Sequence, residues 1–412
     1  MQLTPTATAP KGGRALMLGL AVAGAVSAAT GAHADSGFRT TTTFFHEAGG
    51  ELNMTVVTPS ANASVDLGES ATLSAHYEAD IVSGASVAVV DQPTGSADVV
   101  SGASVDDIRH TVGGGLELRG EFTSLSAGYA YGFESDYRSH GFNVSARTEL
   151  FERNTALQVT YARGFDQVCN LLQPRAQEAV DRRRLPNSDG CFGGEEREGL
   201  DISLQTFEGS WTQAWTPTIA TQLSLSAQLV DGYQGNPYRA VWLGRAAAQE
   251  NHPEIRARYA AGLGVRVWVR PLEGAAQFFA RAYRDTWGVQ SMTAELAWEQ
   301  TIAAGLSLRV RGRFYTQSEA VFYSDTYAYL PEGEYFTGDR ELSSMRNYTL
   351  GGRVRFSVPA NDEGDVLGFL TALDLVGKAD YIKAEFPSFH YGDADVPNSD
   401  AIIATFGLEA IF

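Results

Sequence analysis

The chain has 412 residues, 43 of them Gly and only two of them Cys, and carries a net charge of −18 from 31 Lys+Arg against 49 Asp+Glu. Acidity of that size excludes nucleic acid as a partner, because the two polyanions repel. Two cysteines exclude a disulfide-dense scaffold, and the composition fits an exported protein with an acidic, cation-binding outer surface. Lys11 and Arg14 precede an apolar run over 15–29 that is too short to span a bilayer as a helix, and Ala32-His33-Ala34 reads as a small-residue cleavage site. Residues 1–34 are therefore expected to be a signal peptide, with a mature chain from Asp35. No Cys follows the apolar run, so a lipoprotein is not expected, and no later apolar run is long enough for a transmembrane helix.

The rest of the chain, 35–412, has period two. Leu125, Ala127, Tyr129 and Tyr131 alternate with Ser124, Ser126, Gly128 and Ala130; Leu223, Leu225, Ala227 and Leu229 alternate with Gln222, Ser224, Ser226 and Gln228. Tyr259 to Val269, Leu306 to Phe314 and Tyr348 to Phe356 continue the same alternation, with Arg258, Arg266, Arg309, Arg311, Arg313, Arg353 and Arg355 on the polar parity. This is the signature of strands with one apolar face. Repeated this often, it suits lipid outside and water inside.

The connections alternate long and short. Long ones are read at 83–107, 167–198, 233–252, 319–344 and 387–400, and short ones near 119–120, 151–153, 213–217, 271–274, 303–305 and 359–364. Two links on the long side, near 133–136 and 287–288, are short, and hairpins at 48–50 and 68–69 complete the count. Every long loop falls on one side, which is the rule of outer-membrane barrels: long extracellular loops, short periplasmic turns. The expected fold is all-β, a single transmembrane antiparallel up-and-down β-barrel of about sixteen strands with both ends periplasmic. The expected location is the bacterial outer membrane.

Three features stand out from the alternation. Cys169 and Cys191 share the 167–198 loop, and in an oxidising compartment they are expected to form a disulfide that pins it. Glu117, Glu149, Glu295 and Glu299 share the polar parity with Arg147 and the other arginines, giving either a mutually neutralising lumen mesh or a basic wall toward an anion. Asp80-Ile81-Val82-Ser83-Gly84-Ala85-Ser86-Val87 recurs eighteen residues on as Asp98-Val99-Val100-Ser101-Gly102-Ala103-Ser104-Val105. The histidines stand singly and read as lumen or interface residues, without metal-ligand spacing. There is no nucleophile elbow, phosphate loop or dinucleotide fingerprint, so an enzyme is not expected.

Each copy of the repeat resembles the D-x-x-[ST]-G-A-[ST] acceptor of periplasmic FMN transferases. That resemblance implies covalent FMN on Ser86 and Ser104, with Asp80, Ser83, Gly84, Asp98, Ser101 and Gly102 completing the two motifs. As a duplicated turn, S-G-A-S is also ordinary loop chemistry. The last stretch, Ala401 to Phe412, resembles the C-terminal β-signal of outer-membrane barrels, with Thr405, Gly407, Ala410 and Phe412 in its slots, which implies recognition by the barrel-insertion machinery.

Together with Arg109-His110, Tyr137-Arg138-Ser139-His140-Gly141 and Arg153-Asn154-Thr155, these motifs make the mature chain similar to an uncharacterised Gram-negative outer-membrane β-barrel family, a domain of unknown function. The resemblance implies fold and location, and an association with FMN transferases and thioredoxin-like redox proteins. Three functions remain open: a flavinylated barrel moving electrons across the outer membrane, a passive porin or solute transporter, and a structural barrel that docks a partner.

Overall fold

The structure, a computed structural model, describes residues 36–49, 52–84, 87–91, 97–101, 107–134, 136–171, 197–235, 240–242, 247–324, 333–361, 366–391, 394–395 and 399–412. The expected signal peptide lies outside them. In chain order the strands are β1 (Gly37–Gly49), β2 (Leu52–Asp66), β3 (Ala71–Gly84), β4 (Val87–Asp91), β5 (Ala97–Ser101), β6 (Asp107–Arg119), β7 (Thr123–Phe133), β8 (Tyr137–Leu150), β9 (Thr155–Leu171), β10 (Arg197–Thr216) and β11 (Ile219–Gly232). They continue as β12 (Ala240–Trp242), β13 (Ala247–Gln249), β14 (Ile255–Val269), β15 (Gly274–Asp285), β16 (Gln290–Ala303), β17 (Leu306–Gln317), β18 (Met345–Ser357), β19 (Ala372–Glu385), β20 (His390–Tyr391), β21 (Ala394–Asp395) and β22 (Ser399–Ile411).

Sixteen of these strands close into one barrel in sequence order, and β4–β5, β12–β13 and β20–β21 are short hairpins in the extracellular connections. All the wall pairings are antiparallel. The seam is β1 against β22, paired from Gly37↔Ile411 to Ala48↔Asp400, so the wall has no free edge. Arg39 to Glu409 at 2.6 Å and Thr43 to Thr405 at 3.1 Å tie the seam on its inner face.

The alternation decides which way the barrel faces. Leu125, Leu225, Leu296 and Leu350 are 52%, 56%, 66% and 65% exposed, so the apolar parity points out of the barrel. A water-soluble sheet buries that parity; only lipid makes its exposure favourable. Aromatic side chains gather at both ends of the apolar band. Tyr129–Phe142 (4.8 Å between centroids) and Phe314–Tyr348 (5.3 Å) lie on the extracellular side, and Trp211–Trp215 (6.0 Å) at the periplasmic end. Each wall strand pairs with a neighbour on both sides, as hydrocarbon demands. The protein is an outer-membrane barrel.

The connections follow the expected alternation, with two corrections. The periplasmic link between β18 and β19 is longer than the short turn read at 359–364. Its far end bends at Leu367 (φ 55°) and Gly368 (φ 81°), and Val358, Val366 and Leu370 pack on Leu373, Leu408 and Ala410. Packing of its apolar residues against the outer wall makes 366–370 a foot.

The second correction concerns the inner wall, expected to be polar throughout. At the extracellular end of β8–β11 the inward parity carries Tyr137, Val168, Ile202 and Val230, all nearly fully buried, with Leu204 and Tyr233 packed on them. Here the wall is the floor of a packed layer, so apolar residues replace the hydroxyls found lower down.

Candidate functional site

The inner wall is built of two unlike halves. On β1–β11 it is rich in hydroxyls and amides, with Thr41 bonding Ser60 at 2.7 Å, Thr160 bonding Ser145 at 3.0 Å and Gln228 bonding Thr206 at 3.0 Å, and its inward carboxylates Asp66, Glu78, Asp80, Glu117, Glu149, Asp166 and Glu208 outnumber Arg109, Arg119 and Arg147. On β14–β19 it is strongly basic. Arg256, Arg258, Arg266, Arg281, Arg309, Arg311, Arg313, Arg353, Arg355 and Lys378 face inward against the carboxylates Asp285, Glu295, Glu299, Asp374 and Asp380. The cations outnumber the anions two to one, so a neutralising mesh covers only part of this half.

The paired part is tight. Glu295 accepts from Arg309 at 3.1 Å and Arg311 at 3.2 Å; Glu299 accepts from Arg353 at 3.0 Å; Asp380 accepts from Arg311 at 2.9 Å, with Lys378 3.2 Å away. Arg355 and Ser357 both donate to Asp374. Across the lumen Arg147 pairs with Glu149 at 3.2 Å. Asp285 holds Arg256 and accepts from Tyr283 at 2.7 Å.

The unpaired part is Arg266, Arg281 and Arg313. None of the three has an ion pair among the described residues. Glu295 stands directly opposite Arg313 in the register, yet it is occupied by the two arginines below. Arg281 lies over the Tyr283 ring at 5.8 Å and within electrostatic reach of Glu208 on β10, and Arg258 donates to the Gln228 amide oxygen at 2.9 Å. A guanidinium facing water without a carboxylate is a standing attraction for a passing anion, and its fork fits a carboxylate or phosphate.

Above this wall the extracellular connections are stitched to one another. Thr337 donates to the buried Glu250 at 2.7 Å, Asn251 bridges to Phe336, and Tyr323 donates to the Ser388 carbonyl at 3.0 Å. His252 sits against Trp287 (5.2 Å) and Phe322 (5.6 Å). Arg340 reaches Glu47 of β1 at 2.9 Å, so the 318–344 connection is anchored to the seam. These contacts hold the outer mouth in one arrangement.

The residues singled out in the sequence fall in several places. Asp80 is on the lumen wall, its carboxylate accepting from Thr58 at 2.6 Å. Ser83 and Gly84 end β3, Asp98 and Ser101 lie on β5, and Val87↔Ser101 sets the register of the β4–β5 hairpin. Thus the two S-G-A-S copies lead into and out of one hairpin; Ser86, Gly102 and Ser104 lie outside the described residues. Cys169, at the extracellular end of β9, is disulfide-bonded, and Cys191 lies outside the described residues. Thr405 and Gly407 are on the inner face of β22, Ala410 is under the 366–370 foot, and Phe412 is 55% exposed at the periplasmic rim.

Among the histidines, His76 bonds Asn62 at 2.8 Å in the lumen, whereas His110 and His140 join the outward girdle, bonded to Tyr77 at 3.0 Å and Tyr129 at 2.8 Å. No group of side chains among the described residues could hold a metal ion. Sequence reading missed Asp374, Asp380 and Arg281. The signal was present: Asp374, Lys378 and Asp380 share one parity of a strand whose other parity holds Leu375 and Tyr381.

The family described as a protein of unknown function (DUF3570) matches residues 15–367, and the chain belongs to it. No curated protein matches the chain. Solved structures with a similar fold include a "Bacterial polysaccharide outer membrane secretin" (TM-score 0.49, 11% identity, 92% of this chain and 99% of that one). Pseudomonas aeruginosa OccK2 (OpdF) in complex with glucuronate is similar at TM-score 0.39 and 8% identity, over 92% of this chain and 99% of that one. Pseudomonas aeruginosa OccD3 (OpdP) is similar at TM-score 0.41 and 8% identity, over 92% of both chains.

Proposed function

We propose that this porin-like barrel is a passive outer-membrane channel whose lumen favours small anions, carboxylates first. The observation that carries this reading is the set of inward arginines left without an ion pair, Arg266, Arg281 and Arg313, on the basic half of the wall. A wall built only to be wetted needs no excess of guanidinium groups; paired charges and hydroxyls solvate it as well. Along the β14–β19 half the excess raises the local anion concentration and lowers that of cations, over roughly one Debye length, about 8 Å at physiological salt. The facing wall offers hydroxyls and the carboxylates Glu78, Glu117 and Glu208, which keep an anion on the basic side, so a carboxylate can move from one guanidinium to the next.

The test is the purified barrel in planar bilayers under a potassium chloride gradient. The reading expects discrete conductance and a reversal potential of the sign set by chloride. Replacing Arg266, Arg281 and Arg313 together with Gln should move the reversal potential toward zero while leaving the barrel folded.

A further inference from the structure

The outer wall carries a second feature that the channel reading does not use. A groove of about 1490 Å³ crosses the lipid-facing side of β8–β17, below the extracellular mouth. Two neighbouring rows of outward residues make it. In the upper row Tyr161, Phe207, Ala227, Tyr259 and Arg284 follow one another across paired strands. In the lower row the order is Val159, Gly209, Leu225, Ala261, Ala282 and Met292. Large rings and aliphatic chains stand beside positions with little or no side chain, so the surface is furrowed rather than even.

The furrow has a charged edge. Arg284 is outward and exposed, its guanidinium 5.9 Å above the Tyr259 ring. Arg163 stands one outward position above Tyr161, its guanidinium 4.8 Å above the Phe165 ring. Neither has an ion pair among the described residues. The outward carboxylates of this sector stand farther toward the outside. Asp201 is four residues beyond Gln205, the partner of Arg163, and Asp231 four residues beyond Ala227, in the row of Arg284. Four residues of strand are about 13 Å. Asp201 is moreover engaged by Gln167 at 2.9 Å.

We propose that this groove seats one glycolipid of the outer leaflet that carries two sugar phosphates, with acyl chains in the furrow and one phosphate on each of Arg284 and Arg163, which stand four strands, roughly 19 Å, apart. The charge argues for that occupant. An arginine on the lipid face costs up to about 2–4 kcal/mol at mid-membrane and little near the interface, where an anionic headgroup offsets it. The protein is strongly acidic overall, so two outward cations, without an ion pair among the described residues and on adjacent rows beside an apolar furrow, ask for an external anion. A neutral lipid would fill the furrow and leave both guanidiniums unmatched; two phosphates of one lipid satisfy them with charge-assisted bonds.

The test is native mass spectrometry of the full-length mature barrel released from vesicles that contain either bisphosphorylated lipid A or its fully dephosphorylated form. The wild type should retain the phosphorylated lipid and not the dephosphorylated one. Arg284→Gln with Arg163→Gln should lower retention by at least roughly tenfold, the effect of one charge-assisted hydrogen bond. Ala227→Trp, which fills the furrow without touching the charges, should do the same. Both arginines point away from the lumen, so heat-modifiable migration and single-channel conductance should stay at wild-type values and show that the barrels are intact. Equal retention of the dephosphorylated lipid, or unchanged retention in the double variant, would overturn the proposal. So would efficient disulfide trapping between copies carrying A227C, because the groove would then be a subunit interface.

Discussion

Arg311 on β17 reaches Asp380 on β19 at 2.9 Å across the intervening strand β18. The register puts Gly351 between them, opposite both. A Cβ at Gly351 would lie 1.8 Å from the Asp380 carboxylate, so the absence of a side chain is what lets the two charges meet. Asp380 is 1% exposed in its side chain, and Arg311 also holds Glu295 at 3.2 Å. Gly351→Val should therefore push Asp380 away and release Arg311 into the lumen. The expected outcome is a barrel destabilised by about 1–3 kcal/mol in urea titration, the cost of a poorly satisfied buried carboxylate, with higher anion selectivity. Unchanged stability and selectivity would show that the bridge matters to neither.

The cysteines carry a prediction of their own. Cys169 should be joined to Cys191 in protein taken from intact cells, closing the extracellular connection between β9 and β10. Alkylation before and after reduction, read by intact mass, should show no accessible thiol in the first case and two in the second. The connection lies above the wall, so Cys169→Ser should lower barrel stability little while raising protease cleavage in the 172–196 segment.

Phe412 should matter beyond its contacts. Its side chain is more than half exposed, and its backbone N–H donates to the Ser36 carbonyl at 2.9 Å. Packing alone would make its removal mild. Read as the last slot of an insertion signal, its deletion should sharply reduce heat-modifiable barrel in the outer membrane while export to the periplasm continues.

The wall was legible because its signal is local. A strand between lipid and water must alternate, and β7 shows it residue by residue, Leu125, Ala127 and Tyr129 outward against Ser124, Ser126 and Gly128. The side on which long loops fall then orders the strands. What stayed hidden depends on pairs far apart in sequence. Arg311 and Asp380 are 69 residues apart, and only the register through Gly351 brings them together. The same holds for the inward apolar layer of Tyr137, Val168, Ile202 and Val230. Its alternation is no different from a lipid-facing one; only the packing above the wall tells which face it belongs to. The 366–370 foot was hidden for a related reason, since its apolar residues pack sideways onto β19 and β22.

The duplicated D-x-x-S-G-A-S stands apart from the channel reading and has its own test. Acceptance of FMN would be seen by co-expression with a periplasmic FMN transferase: flavin fluorescence in the gel, an FMN mass on Ser86 and Ser104, and loss of one label in Asp98→Ala with the barrel intact. The absence of both labels would leave the repeat as the segments that lead into and out of the β4–β5 hairpin.

The central claim rests on the unpaired guanidiniums of the basic wall, and the reversal potential of single barrels in a planar bilayer reads it most directly. Under a potassium chloride gradient the wild-type protein should conduct with a chloride-side reversal potential, and Arg313→Glu should shift that potential toward the potassium side. A barrel that does not conduct, or one that prefers potassium with Arg313 in place, would contradict the account.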